Sequence, residues 1–222
     1  MRKLFFAILL STLFLASILN AGYIQERRVL TSTKVLNDIS KVTKSIKIKN
    51  LLHNAKAIAV FPNTMRGAFF IGASSGNGIL SIKNEEGKWC EPIFVSLGNL
   101  SIGLQFGIKS TDLILVFKTD RSLDGLSKGE ATLDADAGVV AITKGVKNAV
   151  KTDGKLTAQV VGFGKSNGIY VGASVGQGSL HVNNNDDFDY YDNLVYLNDI
   201  LAHDKVKDKP ESIKFIQVLN TL

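Results

Sequence analysis

Cysteine, proline, histidine and tryptophan are all scarce in this 222-residue chain, and each shortage removes an option. A single cysteine, Cys90, leaves no internal disulfide and no Cys-x-x-Cys redox or metal motif, so packing alone must hold the core. Three prolines, Pro62, Pro92 and Pro210, are too few for an extended proline-rich linker. The three histidines, His53, His181 and His203, are far apart in sequence and form no His-Glu-x-x-His pair. Cys90 sits beside Trp89, and neither His53 nor His203 is placed in sequence as an evident partner for it. A small core residue is the reading that follows.

What the chain does have begins at its first residue. Arg2 and Lys3 precede an apolar stretch, Leu4 to Leu19, which ends at the small residues Asn20-Ala21-Gly22. At ~1.5 Å per residue that stretch spans roughly 24 Å, short of the ~30 Å hydrocarbon core. Residues 1–21 are therefore expected to be a cleavable secretory signal, with the mature chain starting within two residues of Gly22. Export to the periplasm or outer envelope follows, with residues 22–222 forming a single domain. The net charge of +6 falls to about +4 once Arg2 and Lys3 are gone, a mild basic excess suited to acidic partners. Twenty glycines with an apolar fraction of 45% indicate tight turns and close strands rather than disorder.

Two periodicities divide the mature chain. From Tyr23 to about Ala55 the pattern is helical. Val35, Leu36, Ile39, Val42 and Ile46 cover an arc of roughly 120°, with Lys34, Lys41 and Lys44 opposite. A second helical piece, Lys49 to Ala55, carries Leu51 and Leu52. From Ala57 short strand-like runs succeed one another, the first stopped by Pro62, up to Ser179–Asn183. The polar run Asn183 to Asp187 reads as a hairpin exit. It departs from a calcium loop, since Phe188 and Leu194 stand where Gly and Glu are needed. From Tyr196 to Leu222 the pattern is again helical, with Ile213, Ile216, Val218 and Leu219 as packing candidates. The expected class is α+β: mainly an antiparallel β barrel or sandwich, with an N-terminal amphipathic helical region and C-terminal helices. Phe70–Gly78 recurs 100 positions later as Tyr170–Gly178, which predicts a glycine-rich hairpin used twice.

Candidate chemistry is sparse, and the basic residues are its most suggestive part. Arg27, Arg28, Lys34, Lys41, Lys44, Lys47 and Lys49 load the first helical region with cations. A basic amphipathic helix can lie in an anionic membrane interface, or it can simply turn its lysines to water while its apolar stripe packs on the sheet. Lys144, Lys147, Lys151 and Lys155 would form a second basic strip if helical. Asp134 and Asp136 share a strand face and read as a solvated edge. Aromatic residues do not interleave with these cations, which argues against nucleic acid.

An ordered set of segments resembles a known family. It runs from Ala55–Pro62 through the glycine-rich segment at 67–80, Trp89, Gly103–Gly107 and Thr111-Asp112 to Asp134–Gly138 and Lys165–Gly172. In this order they resemble the SYLF domain family, also called the yeast actin-bundling (Ysc-type) family, over about Arg27 to Leu222. The resemblance implies a lipid-binding module of secreted bacterial type, without cofactor or metal and not an enzyme. Eukaryotic relatives bind phosphoinositides, partly through an N-terminal amphipathic helix, and some fungal ones bind actin. Lys147 stands where many members carry Arg in a Gly-Pro-x-Gly-Arg stretch, but the sequence around it, Ile142 to Lys147, departs from that pattern. The expected partner is an anionic membrane lipid, met at the membrane periphery. The alternative is a structural or protein-interaction module whose basic helix is merely packed.

Overall fold

The computed structural model describes residues 22–42, 46–66, 73–103, 110–133, 138–139, 159–166, 169–175 and 178–222. Among these residues two helices, α1 (Tyr23–Val42) and α2 (Ile46–His53), lead into nine strands. These are β1 (Ala57–Arg66), β2 (Ala73–Ile82), β3 (Ile93–Gly103), β4 (Ser110–Phe117), β5 (Glu130–Leu133), β6 (Gly138–Val139), β7 (Val160–Ser166), β8 (Ile169–Val175) and β9 (Gly178–Val182). Helices α3 (Asn184–Tyr191), α4 (Leu197–Leu201) and α5 (Pro210–Asn220) complete the chain. The class is the expected α+β.

The strand pairings form a circuit. β1 pairs with β2, β2 with β3, β3 with β8, β8 with β7, β7 with β4, and β4 with β1, all antiparallel. The sheet is thus curled and barrel-like. β5 is added beside β9, and β6 pairs in parallel with β7. Ala57 to Phe61 of β1 and Leu113 to Phe117 of β4 have no exposed surface, as strands covered on both faces must.

Three expectations need correcting. Pro62 does not end β1, which runs on to Arg66 through a register shift between Phe61 and Thr64. Asn63 adopts φ 53° there, and its N–H donates to Asp112 Oδ1 at 3.1 Å, so the proline sits at a bulge that tolerates it. The run after Asn183 is no hairpin exit but the start of α3: Asn183 Oδ1 accepts the Asp186 N–H at 3.2 Å as an N-cap. Among the candidates on α5, Leu219 is buried and Ile213 exposed, while Phe215, not singled out by sequence, is fully buried.

The glycine-rich repeat is real in sequence but does not form hairpins. In the first copy Ser75 to Gly78 lie inside the single strand β2. In the second, residues 176 and 177 lie outside the described residues, but β8 and β9 both run antiparallel to β3 in one unshifted register, with Gly98 opposite Ser179 and Ile102 opposite Val175. Strands that both oppose β3 point the same way and cannot be the two arms of a hairpin. The two copies instead flank β3, one on each side. In the first copy Gly78 serves close approach: a Cβ there would lie 2.3 Å from the Val60 carbonyl oxygen and 2.4 Å from Phe61 Cδ1.

Gly78→Ala is accordingly expected to destabilise the fold by about 1–3 kcal/mol, because the added methyl meets a backbone carbonyl and the fully buried Phe61 ring. Urea denaturation checks this, and an unchanged midpoint would contradict the β1–β2 packing.

Candidate functional site

Helix α1 has two faces with different surroundings. Val29, Val35, Leu36 and Ile39 are buried, where α1 lies over β1 and β2 and against α5. The apolar stripe predicted from sequence is therefore packed on the protein's own core; Val42 and Ile46 belong to α1 and α2, but their side chains lie outside the description. On the opposite side Tyr23, Arg27, Leu30, Lys34 and Lys41 follow one another at spacings of 4, 3, 4 and 7. At ~100° per residue they fall within about 60° of arc. Arg27, Lys34 and Lys41 are exposed. Tyr23, Ile24 and Leu30 are 52%, 62% and 43% exposed. Arg27 lies 5.8 Å from the centroid of the Tyr23 ring.

Not every predicted cation joins this face. Arg28 turns inward, pairs with Asp186 and stacks 5.4 Å from the Phe94 ring centroid, with 13% of its side chain exposed. Its partners come from α3 and β3, so it ties α1 down instead of reaching outward. Lys49 is exposed on α2; Lys47 is on the same helix, with its side chain outside the description. Lys44 and Lys147 lie outside the described residues, as do Lys144, Lys151, Lys155, Asp134 and Asp136. Among the described residues no helix is long and apolar enough to cross a membrane.

Helix α3 holds α1 in place. Gln25 Nε2 donates to Asp186 Oδ1 at 2.8 Å and to Asp189 Oδ2 at 3.3 Å. Gly22, at φ 84°, brings the chain so near α3 that a Cβ would lie 2.9 Å from the Asp189 carbonyl oxygen. Tyr191 donates its hydroxyl to the Pro92 carbonyl at 2.7 Å, and the Tyr190 hydroxyl meets Ser212 Oγ of α5 at 2.8 Å. Asp187 is buried. Its Oδ1 accepts the Phe94 N–H at 2.8 Å, while Oδ2 is buried with no hydrogen-bond partner among the described residues. Desolvation pushes its carboxyl up to about 8.

Other candidate groups, Cys90 from the sequence and two further constellations not singled out there, have structural explanations. Burial pushes the Cys90 thiol up to about 11, so it holds no thiolate at neutral pH. Gly-x-Ser-x-Gly occurs at 72–76 and 172–176, but Ser74 and Ser174 lie within strands β2 and β8, away from any strand-to-helix elbow. Glu91, His203 and Asp208 lie close enough together to be considered as metal ligands. However, His203 turns Nδ1 to Glu91 at 3.1 Å and Nε2 to Asp208 at 3.9 Å, so the ring bridges two carboxylates rather than converging with them on one centre. The Glu91 hydrogen bond raises the His203 pKa.

The described residues thus form a curled antiparallel sheet covered by helices, with a cationic and aromatic flank of α1 turned outward. Comparison with known proteins agrees with its resemblance. A family model described as "Las17-binding protein actin regulator" (Ysc84) matches residues 98–222, and the chain belongs to that family. It is similar to the SH3 domain-containing YSC84-like protein 1 of Homo sapiens and of Rattus norvegicus, 25% identical in each case over 179 residues, 78% of this chain and 51% of the relative. An SH3 domain-containing protein of Schizosaccharomyces pombe is 24% identical over 141 residues, 62% of this chain and 32% of its own length. The chain thus spans about half or less of the relatives it matches.

Asp187 makes stability depend on pH. Its folded pKa of about 8 lies above the ~3.9 of an unfolded aspartate, so the folded state binds the extra proton. The contribution is complete below the unfolded value and is lost as pH rises through the folded one, at up to ~1.4 kcal/mol per unit. Melting temperature should fall between pH 5 and 9, and Asp187→Asn, which keeps an acceptor for the Phe94 N–H, should flatten that decline. An equally steep profile in the variant would contradict the assignment.

Proposed function

We propose that the chain is a peripheral docking module that attaches to an anionic bilayer through the outer face of α1. The observation that carries this reading is the company of Tyr23, Ile24 and Leu30 with Arg27, Lys34 and Lys41 on one exposed flank. Aromatic and aliphatic side chains enter the headgroup region while cations meet its phosphates, and each Lys or Arg near such a surface contributes ~1 kcal/mol. Three such cations supply about 3 kcal/mol, enough for reversible attachment and too little for permanent anchoring. The apolar stripe takes no part, since it is packed on the sheet. With residues 1–21 as an export signal, the bilayer would be one of the cell envelope. A second reading, a protein-binding module, draws on the family description, which names Las17-binding and actin regulation.

Vesicle co-sedimentation separates the two. Binding is expected to phosphatidylcholine vesicles containing phosphatidylglycerol and not to phosphatidylcholine alone. It should weaken as salt rises from about 0.1 M to about 1 M, where the screening length falls from ~10 Å to ~3 Å. Replacing Arg27, Lys34 and Lys41 together with Gln should reduce it at least ~10-fold. Undiminished binding by that folded variant would remove α1 as the contact. No binding by the wild type would favour the protein-interaction reading.

A further inference from the structure

On the side-by-side strands β3, β9 and β5, three side chains form an arrangement that neither docking nor packing calls for. Ser179 and His181 are two residues apart on β9 and so share a face. Ser179 Oγ lies 2.7 Å from His181 Nε2. His181 is opposite Glu130 in the β5–β9 register, and His181 Nδ1 lies 3.7 Å from Glu130 Oε2. Each ring nitrogen thus has its own neighbour.

The chemistry of those neighbours sets their roles. The Glu130 carboxylate is 3.7 Å from Nδ1, an ionic neighbour beyond hydrogen-bond length, and its negative charge favours a proton on that nitrogen. That leaves the Nε2 lone pair to take the Ser179 hydroxyl proton. The competing acceptor, the Gly98 carbonyl, is farther from Ser179 Oγ at 3.3 Å. Nucleophile, base and orienting carboxylate stand in the order that acyl-transfer chemistry uses.

Access is preserved by the residues around them. Gly98 is opposite Ser179, and a Cβ there would lie 2.7 Å from Ser179 Oγ and 2.9 Å from His181 Nε2. Any other residue would crowd the pair. Ser96 faces His181, and Thr132 faces Ser179, so the neighbouring positions are small. The His181 and Glu130 side chains are 42% and 54% exposed.

We propose that Ser179, His181 and Glu130 form a hydrolytic site for unhindered carboxylic esters. Ser179 Oγ bonds to the carbonyl carbon while its proton passes to His181 Nε2. The bond to the alcohol oxygen breaks, and that oxygen leaves with the proton from the imidazolium. Water then attacks the acyl-serine, giving a proton to His181. The acid is released and the serine hydroxyl restored, so ester and water become acid and alcohol. The site is separate from α1 and does not depend on its partner.

The test uses the full chain with a fluorophosphonate probe, located by peptide mass mapping, and with p-nitrophenyl acetate. A single adduct on Ser179 is expected, together with ester hydrolysis that Ser179→Ala abolishes. His181→Gln should slow labelling by ~100-fold, in the range of lost base catalysis. Glu130→Gln should slow it less and alter its pH profile. Glu130 is exposed and Ser179 and His181 are half-buried, and circular dichroism verifies that the variants fold. Absence of an adduct on Ser179, or labelling at an equal rate in His181→Gln, would overturn the proposal.

Discussion

Ala57 to Phe61, five consecutive residues of β1, expose none of their surface, and the rest of the architecture answers that constraint. Alternate side chains of a strand point to opposite sides, so both sides of β1 must be dry. One set packs within the curled sheet and the other needs a lid. Helix α1 is that lid, which is why its stripe of Val29, Val35, Leu36 and Ile39 is spent inside the molecule. Burying four such side chains stabilises the fold by roughly 6–12 kcal/mol at ~1.5–3 kcal/mol each. That exceeds the ~3 kcal/mol that three cations gain at an anionic surface. If α1 peeled away to lie in a bilayer, its stripe would find lipid but the sheet beneath would be left bare. A membrane contact made by the seated helix, through its outer flank, avoids that cost.

Seating the helix requires a clamp, and α3 provides it with acidic residues. Asp186 takes Arg28 and Gln25 from α1, while Asp187 takes the Phe94 N–H from β3. Tyr190 and Tyr191, 4.9 Å apart and edge to face, connect the same helix to α5 and to the chain before β3. Burying a carboxyl as deeply as Asp187 is costly unless it keeps its proton, and its raised pKa follows from that. The clamp therefore contains a buried titratable group, Asp187.

How far the sequence disclosed this depends on the range of the interaction. Helix α1 and its buried stripe follow from local period, as do most strand positions and the α+β class. Pro62 misled because a bulge, formed with Asp112 from β4, admits a proline that an ordinary central strand would reject. The glycine repeat misled because glycine serves turns and close strand contacts alike, and only the register against β3 separates the two. Arg28 looked like its neighbours on paper. Its ion pair with Asp186, 158 positions away, is not written in any local pattern. Ser179, His181 and Glu130 escaped notice for the same reason: a Ser-x-His on a strand gains meaning only when β5 sets a carboxylate beside it. The exposed Tyr23, Ile24 and Leu30 could have been found from the helical wheel, where they sit among cations.

In the proposed mode of attachment α1 stays seated on the sheet and only its outer flank would meet the bilayer. Hydrogen–deuterium exchange of the α1 amides, with and without phosphatidylglycerol vesicles, tests this most directly. Strong protection from Val29 to Ile39 is expected in the free protein, and the same protection with vesicles present. Rapid exchange of these amides in the free protein, or deprotection of β1 and β2 when vesicles are added, would show that the helix leaves the sheet and would contradict the proposed attachment.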